Sequence, residues 1–242
     1  MVIKFLKKYV LFAAIVAQTN AVTGQSKELG SWNIINVKSK LSSNTTVVFE
    51  AQARSQSFYN NFFYHEYKGA INFKLKKGFE LLFGLGHYTT YQFEGNFKKP
   101  LQNNEVRPWQ QLTYKHKIGN LLVDHRIRAE QRFFENNYKN RFRYRLNVIL
   151  PIGSNEIKEK GFYATTFNEL FFNNEVPRFE RNRFFLGGGY EFSEKFTLQT
   201  GWLFQYDIGQ NRDFAKHFMQ TSLLFTILKK KEKNTIHFET LD

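Results

Sequence analysis

Between Leu121 and Leu150 the chain repeats with a period of two residues, apolar on one side and almost solidly charged on the other. Leu121, Val123, His125, Ile127, Ala129 and Phe133 alternate with Asp124, Arg126, Arg128, Glu130 and Arg132. After a short gap, Phe142, Tyr144, Leu146, Val148 and Leu150 alternate with Arg141, Arg143, Arg145 and Asn147. Successive side chains of a strand point to opposite faces, so each segment offers one surface suited to lipid and one suited to water or to an ion-paired interior. The pattern points to a transmembrane β-barrel. It constrains architecture and compartment, and specifies no reaction.

The N-terminus supplies a route to a membrane. Lys4, Lys7 and Lys8 precede an apolar run from Tyr9 to Ala17, and Thr19-Asn20-Ala21 or Val22-Thr23-Gly24 offers small residues for cleavage. This is the build of a secretory signal over residues 1–24, cut before Gln25, and the run falls short of the roughly 20 residues a spanning helix needs. The expected organisation is a signal peptide at 1–24 and one barrel domain at 25–242. A mean hydropathy of −0.49 would exclude a helical membrane protein, but it suits a barrel, whose lipid-facing and lumen-facing residues cancel in any window. With no cysteine, disulfides and thiolate metal sites are excluded.

Net charge is +14, and removing the three leader lysines leaves 32 basic against 21 acidic residues, +11. Such a balance can serve nucleic acid. Here the arginines sit at period two between aromatics in an exported chain, so nucleic acid is not the expected partner.

Eleven strands read out near 30–41, 45–56, 62–75, 79–92, 105–118, 121–133, 140–150, 161–172, 182–192, 196–206 and 216–228, with a shorter twelfth near 234–240. Tight turns (42–44, 76–78, 119–120, 193–195) alternate with longer connections (57–61, 93–104, 134–139, 173–181, 207–215), as periplasmic turns alternate with extracellular loops. The intermediate connection 151–160 falls on the periplasmic side. Eleven strands alone would close with a parallel pair. Bacterial barrels normally carry even numbers, so the expected fold is all-β, a single antiparallel transmembrane barrel of about twelve strands, within a range of ten to twelve. A soluble sandwich or lipocalin-like barrel also alternates, with its apolar face inward. Aromatics make up 18% of the chain and gather near strand ends, at Phe58-Tyr59, Phe62-Phe63-Tyr64, Phe133-Phe134 and Phe171-Phe172, where interfacial girdles belong.

The candidate functional residues are the inward charges: Asp124, Arg126, Arg128, Glu130, Arg132, Arg141, Arg143 and Arg145 on one hairpin, with Glu105, Arg107, Glu169 and Arg183 from other strands. Glu191 is also available, and Glu169 has an ambiguous face because it shares parity with Phe167 and Phe171. Charges in a confined lumen are costly unless paired, and guanidinium groups engage carboxylates bidentately. Two readings follow: a structural brace across the barrel, or a porin-like charged lining that selects solutes. Six arginines against Asp124 and Glu130 on the hairpin would favour small anionic solutes, or lipopolysaccharide phosphates, if the lumen is open. Six dispersed histidines form no close metal-binding pair, no cofactor is indicated, and no local nucleophile signature appears. Gly187-Gly188-Gly189 lies inside an alternating segment, reading as a bend or a packing site.

The ordered set Trp32, Glu50 to Arg54, Glu105-Val106-Arg107-Pro108-Trp109-Gln110-Gln111, Arg126 to Arg132, Arg141 to Arg145, Asn168-Glu169 and Asn182-Arg183 resembles the Domain of Unknown Function 2490 group of bacterial outer-membrane barrels. The resemblance spans nearly the whole mature chain and implies a signal-bearing barrel without assigned activity. The basic tail after Leu228 departs from it. The expected role is therefore a narrow pore or structural barrel in the bacterial outer membrane, not an enzyme, meeting lipid, lipopolysaccharide and the barrel assembly machinery. Two other classes stay open at this point. A membrane-embedded hydrolase acting on lipid or peptide needs a histidine beside a nucleophile at the rim, and a soluble periplasmic binding module needs the charged faces outward.

Overall fold

The computed structural model describes residues 28–92, 95–209, 211–227 and 241. The expected leader at 1–24, the basic run 229–233 and the short strand near 234–240 lie outside the described residues.

Eleven strands form: β1 (Gly30–Lys40), β2 (Thr45–Ser57), β3 (Asn60–Lys74), β4 (Phe79–Tyr91), β5 (Leu101–Ile118), β6 (Leu121–Phe134), β7 (Tyr138–Ile152), β8 (Gly161–Asn173), β9 (Phe179–Ser193), β10 (Phe196–Asp207) and β11 (Phe214–Ile227). They join in sequence order into a closed barrel. The tight connections depend on local backbone chemistry. The two-residue turn between β5 and β6 places Gly119 at φ +60°, a left-handed conformation that glycine adopts without steric cost.

Every pairing of consecutive strands is antiparallel, and the barrel closes where β1 and β11 run parallel, from Gly30 opposite Phe218 to Ser39 opposite Ile227. Among the described residues the strand count is therefore eleven, inside the expected range but not twelve. The parallel seam follows from the energetics of edges. Two open edges would leave rows of unpaired backbone groups, whereas a parallel ladder is only slightly weaker per residue than an antiparallel one.

The barrel has a short-turn end and a long-loop end. β1 and β11 both arrive at the short-turn end, and the 153–160 connection lies there too, with Ile157 packed against Leu122, Ile149 and Tyr163. The faces separate as the period-two pattern dictates. Ile35, Phe49, Tyr67, Leu85, Ile127, Phe142 and Leu186 project outward and are exposed. Arg126, Arg128 and Glu130 point inward at 1% exposure each. Glu169 also faces inward, and so do Phe167 and Phe171, all three buried. On β8 the interior takes aromatics as well as charge.

Candidate functional site: the charged lumen

The register of the central hairpin creates an electrostatic problem. Arg126 stands opposite Arg145 and Arg128 opposite Arg143, and like charges directly opposite are destabilising. The remedy comes from two carboxylates. Glu169, which β8 places opposite Arg145, accepts from Arg126 Nη2 at 2.5 Å and takes a bidentate grip from Arg143, Nε at 3.0 Å and Nη2 at 2.8 Å. Glu130, opposite Arg141, accepts from Arg141 Nε at 2.8 Å, from Arg143 Nη1 at 2.8 Å and from Arg107 Nη1 at 3.3 Å. Arg128 Nη1 lies 3.6 Å from the same carboxylate. Bidentate, charge-assisted bonds of this kind are among the stronger hydrogen bonds available, and with water largely excluded they are little screened by salt.

The network continues toward the long-loop end. Glu105 accepts from Arg107 at 2.6 Å and from Arg132 at 2.8 and 3.0 Å. Glu180 meets Arg141 at 3.2 Å and Arg132 at 3.8 Å. Arg145 lies with its guanidinium 5.2 Å from the Phe167 ring. Asp124 accepts from Asn147 at 3.3 Å. Arg183 donates to Gln205 at 2.9 Å and stands 3.9 Å from Glu169. All twelve residues singled out from the sequence thus sit on the inward face, with Asp124 nearest the short turns.

Other interior residues carry charge beyond the twelve candidates. A second ion-pair ladder runs over β1 to β3: Lys68 bridges Glu50 at 2.7 Å and Glu66 at 2.5 Å, Arg54 meets Glu66 at 3.3 Å, and Asn36 donates to Glu50 at 2.8 Å. Its period-two spacing, Glu50-Gln52-Arg54 and Glu66-Lys68, was a usable signal. Glu180 and Arg181 fell in what reads as a loop, and β9 begins earlier, at Phe179.

Rings and guanidiniums also alternate across the interior. The Arg54 guanidinium carbon lies 4.1 Å from the Tyr64 ring and 3.4 Å from Trp32. Arg183 lies 4.7 Å from both Trp32 and Phe171, and Arg143 caps Phe171 at 4.5 Å. This stack, Tyr64–Arg54–Trp32–Arg183–Phe171–Arg143, leaves the wall between β1 and β9, which do not pair, and cuts across the lumen. Desolvated cation–π contacts reach about 2 kcal/mol each, so rings that would be anomalous in a wet channel are stabilising here. Toward the long loops a cavity of about 240 Å³ remains, walled by Arg54, Arg107, Arg132, Arg141, Arg181 and Arg183 among others.

The described histidines stand elsewhere. His125 bonds the Tyr144 hydroxyl at 2.9 Å and His217 accepts from Trp202 Nε1 at 3.1 Å, both on the outer face. Among the described residues no group of three or more histidines and carboxylates is placed to hold a metal ion.

Comparison with curated proteins finds no match. The family model described as "Protein of unknown function (DUF2490)" matches residues 29–215, a span from the start of β1 into β11 that takes in all twelve candidate charges. The chain therefore belongs to the DUF2490 family, a family of β-barrel character here and of no assigned activity.

Proposed function

We propose that this protein is a bacterial outer-membrane barrel whose lumen is closed by its own side chains, so that it serves as a structural barrel and not as an open pore. The observation that carries the reading is the interior stack together with Glu130 and Glu169: long side chains from β1, β2, β6, β7, β8 and β9 meet in the middle of the lumen with their charges paired. The outer surface supports the membrane setting. Large apolar side chains such as Phe49, Leu85, Ile127, Phe142, Phe162 and Leu186 are exposed on successive strands, and soluble monomers rarely carry so extensive an apolar surface. A soluble binding module would turn these faces the other way. Outer-membrane lipid and lipopolysaccharide are the partners of that surface, and the barrel assembly machinery is the partner of insertion. Small anions would meet the arginine-walled mouth at the long-loop end and go no deeper.

The test is conductance of the folded protein in planar bilayers. Silence is expected from the parent, and reproducible ion-selective steps would overturn the closed reading.

A further inference from the structure

Much of the interior is polar or charged, but on the β2 to β5 wall Val48, Ala70, Leu82 and Trp109 all turn inward and form an apolar recess. The register brings them together: Val48 pairs with Ala70, Ala70 with Gly84 and Gly84 with Trp109. The indole lies flat over Gly84, where a Cβ would fall 2.1 Å from Trp109 Cζ2. Its Nε1 is buried with no hydrogen-bond partner among the described residues. Left open to the lumen, this recess would be a hydrophobic patch in a polar cavity, and it is not open. The side chain of Leu241, 4% exposed, completes the cluster.

The backbone of Leu241 is held as well. Its N–H donates to Glu50 Oε2 at 2.6 Å, and its carbonyl accepts from Arg128 Nη2. A buried peptide outside the sheet needs partners for both groups, and here each partner is ionised, which makes the bonds stronger than neutral ones. Arg128 is fixed for this task by Gln111 Oε1, which accepts from its Nε at 2.9 Å and its Nη2 at 2.6 Å. One residue is thus recognised three ways, by an apolar socket, a carboxylate acceptor and a guanidinium donor, from β2, β3, β4, β5 and β6 together.

We propose that the lumen contains a peptide-docking site, specific for an aliphatic residue with a free backbone N–H and carbonyl, and that its occupant is this chain's own Leu241. The docked residue stoppers the half of the lumen facing the short turns, below the ion-paired belt. This site does not depend on where the barrel resides, so its test runs in detergent and stands apart from the conductance measurement.

The native chain has no cysteine, so Leu241→Cys gives a single thiol, and Ser42→Cys, on the exposed turn at the same end, gives the accessible reference. Folded protein, selected by its unheated gel mobility, is reacted with a bulky polar maleimide. The thiol of Leu241→Cys should react at least about tenfold more slowly than that of Ser42→Cys, the protection coming from a docked state that must open first. Val48→Trp, which fills the recess, should abolish the difference. Equal rates in the two single variants would overturn the proposal. Hydrogen exchange on the unsubstituted chain is the second measurement: the peptide containing Leu241 should keep one slowly exchanging amide that Glu50→Gln releases, and full exchange at the first time point would overturn the proposal.

Discussion

Replacing Glu130 by glutamine isolates what the ion-paired belt contributes. Glutamine keeps the volume and one acceptor oxygen but removes the charge and turns an NH₂ toward guanidinium donors. Glu130 holds Arg141 at 2.7 and 2.8 Å, Arg143 at 2.8 Å and Arg107 at 3.3 Å, with its side chain fully buried. Hydrogen bonds to charged groups contribute about 1.5–3 kcal/mol each, and removing one partner of a buried pair typically costs about 3–5 kcal/mol because the other charge is left uncompensated. Glu130→Gln should therefore destabilise the barrel by about 3–5 kcal/mol. The control is Glu175, whose pair with Lys139 is equally short at 2.7 Å but has side chains 44% and 32% exposed. Water screens that pair, and Glu175→Gln should cost about 1 kcal/mol or less. Both are read as urea unfolding of the refolded barrel followed by tryptophan emission. If Glu130→Gln costs no more than Glu175→Gln, the belt is solvated, and the closed lumen goes with it.

Two further substitutions probe the other layers. Ile127 projects outward near the middle of β6 at 57% exposure, so Ile127→Arg should cost about 2–4 kcal/mol in phospholipid vesicles; a change within about 0.5 kcal/mol, as at an ordinary solvent-facing site, would refute the membrane setting. Gly84→Ala places a methyl 2.1 Å from Trp109, an overpacking expected to cost about 1–3 kcal/mol and to shift tryptophan emission, and unaltered stability and emission would show that the indole does not rest there.

The strands were legible in the sequence because a sheet's side-chain period is two, and on β6 and β7 the charged and apolar sets separate by it, whereas on β8 the inward Phe167 and Phe171 share parity with Glu169 and left its face open. Expected and observed strand bounds differ by at most four residues at either end, and the twelve candidate charges all fall inside the barrel. Strand-end extensions were not legible, since Phe179 to Arg181 follow Pro177 and an asparagine-rich stretch that reads as a loop. Which charges meet is set by the closed barrel. Arg126 faces Arg145 across the hairpin, and nothing local reveals that Glu169, a strand further on, neutralises them; nor does any spacing show that Trp32 of β1 stacks on Arg183 of β9. The parallel seam and the docking of Leu241 are likewise contacts between distant parts of the chain, set by closure of the sheet and by the shape of the space it encloses. Periodicity records which way a side chain points, whereas its partner across a lumen depends on strand number and register, which exist only once the barrel has closed.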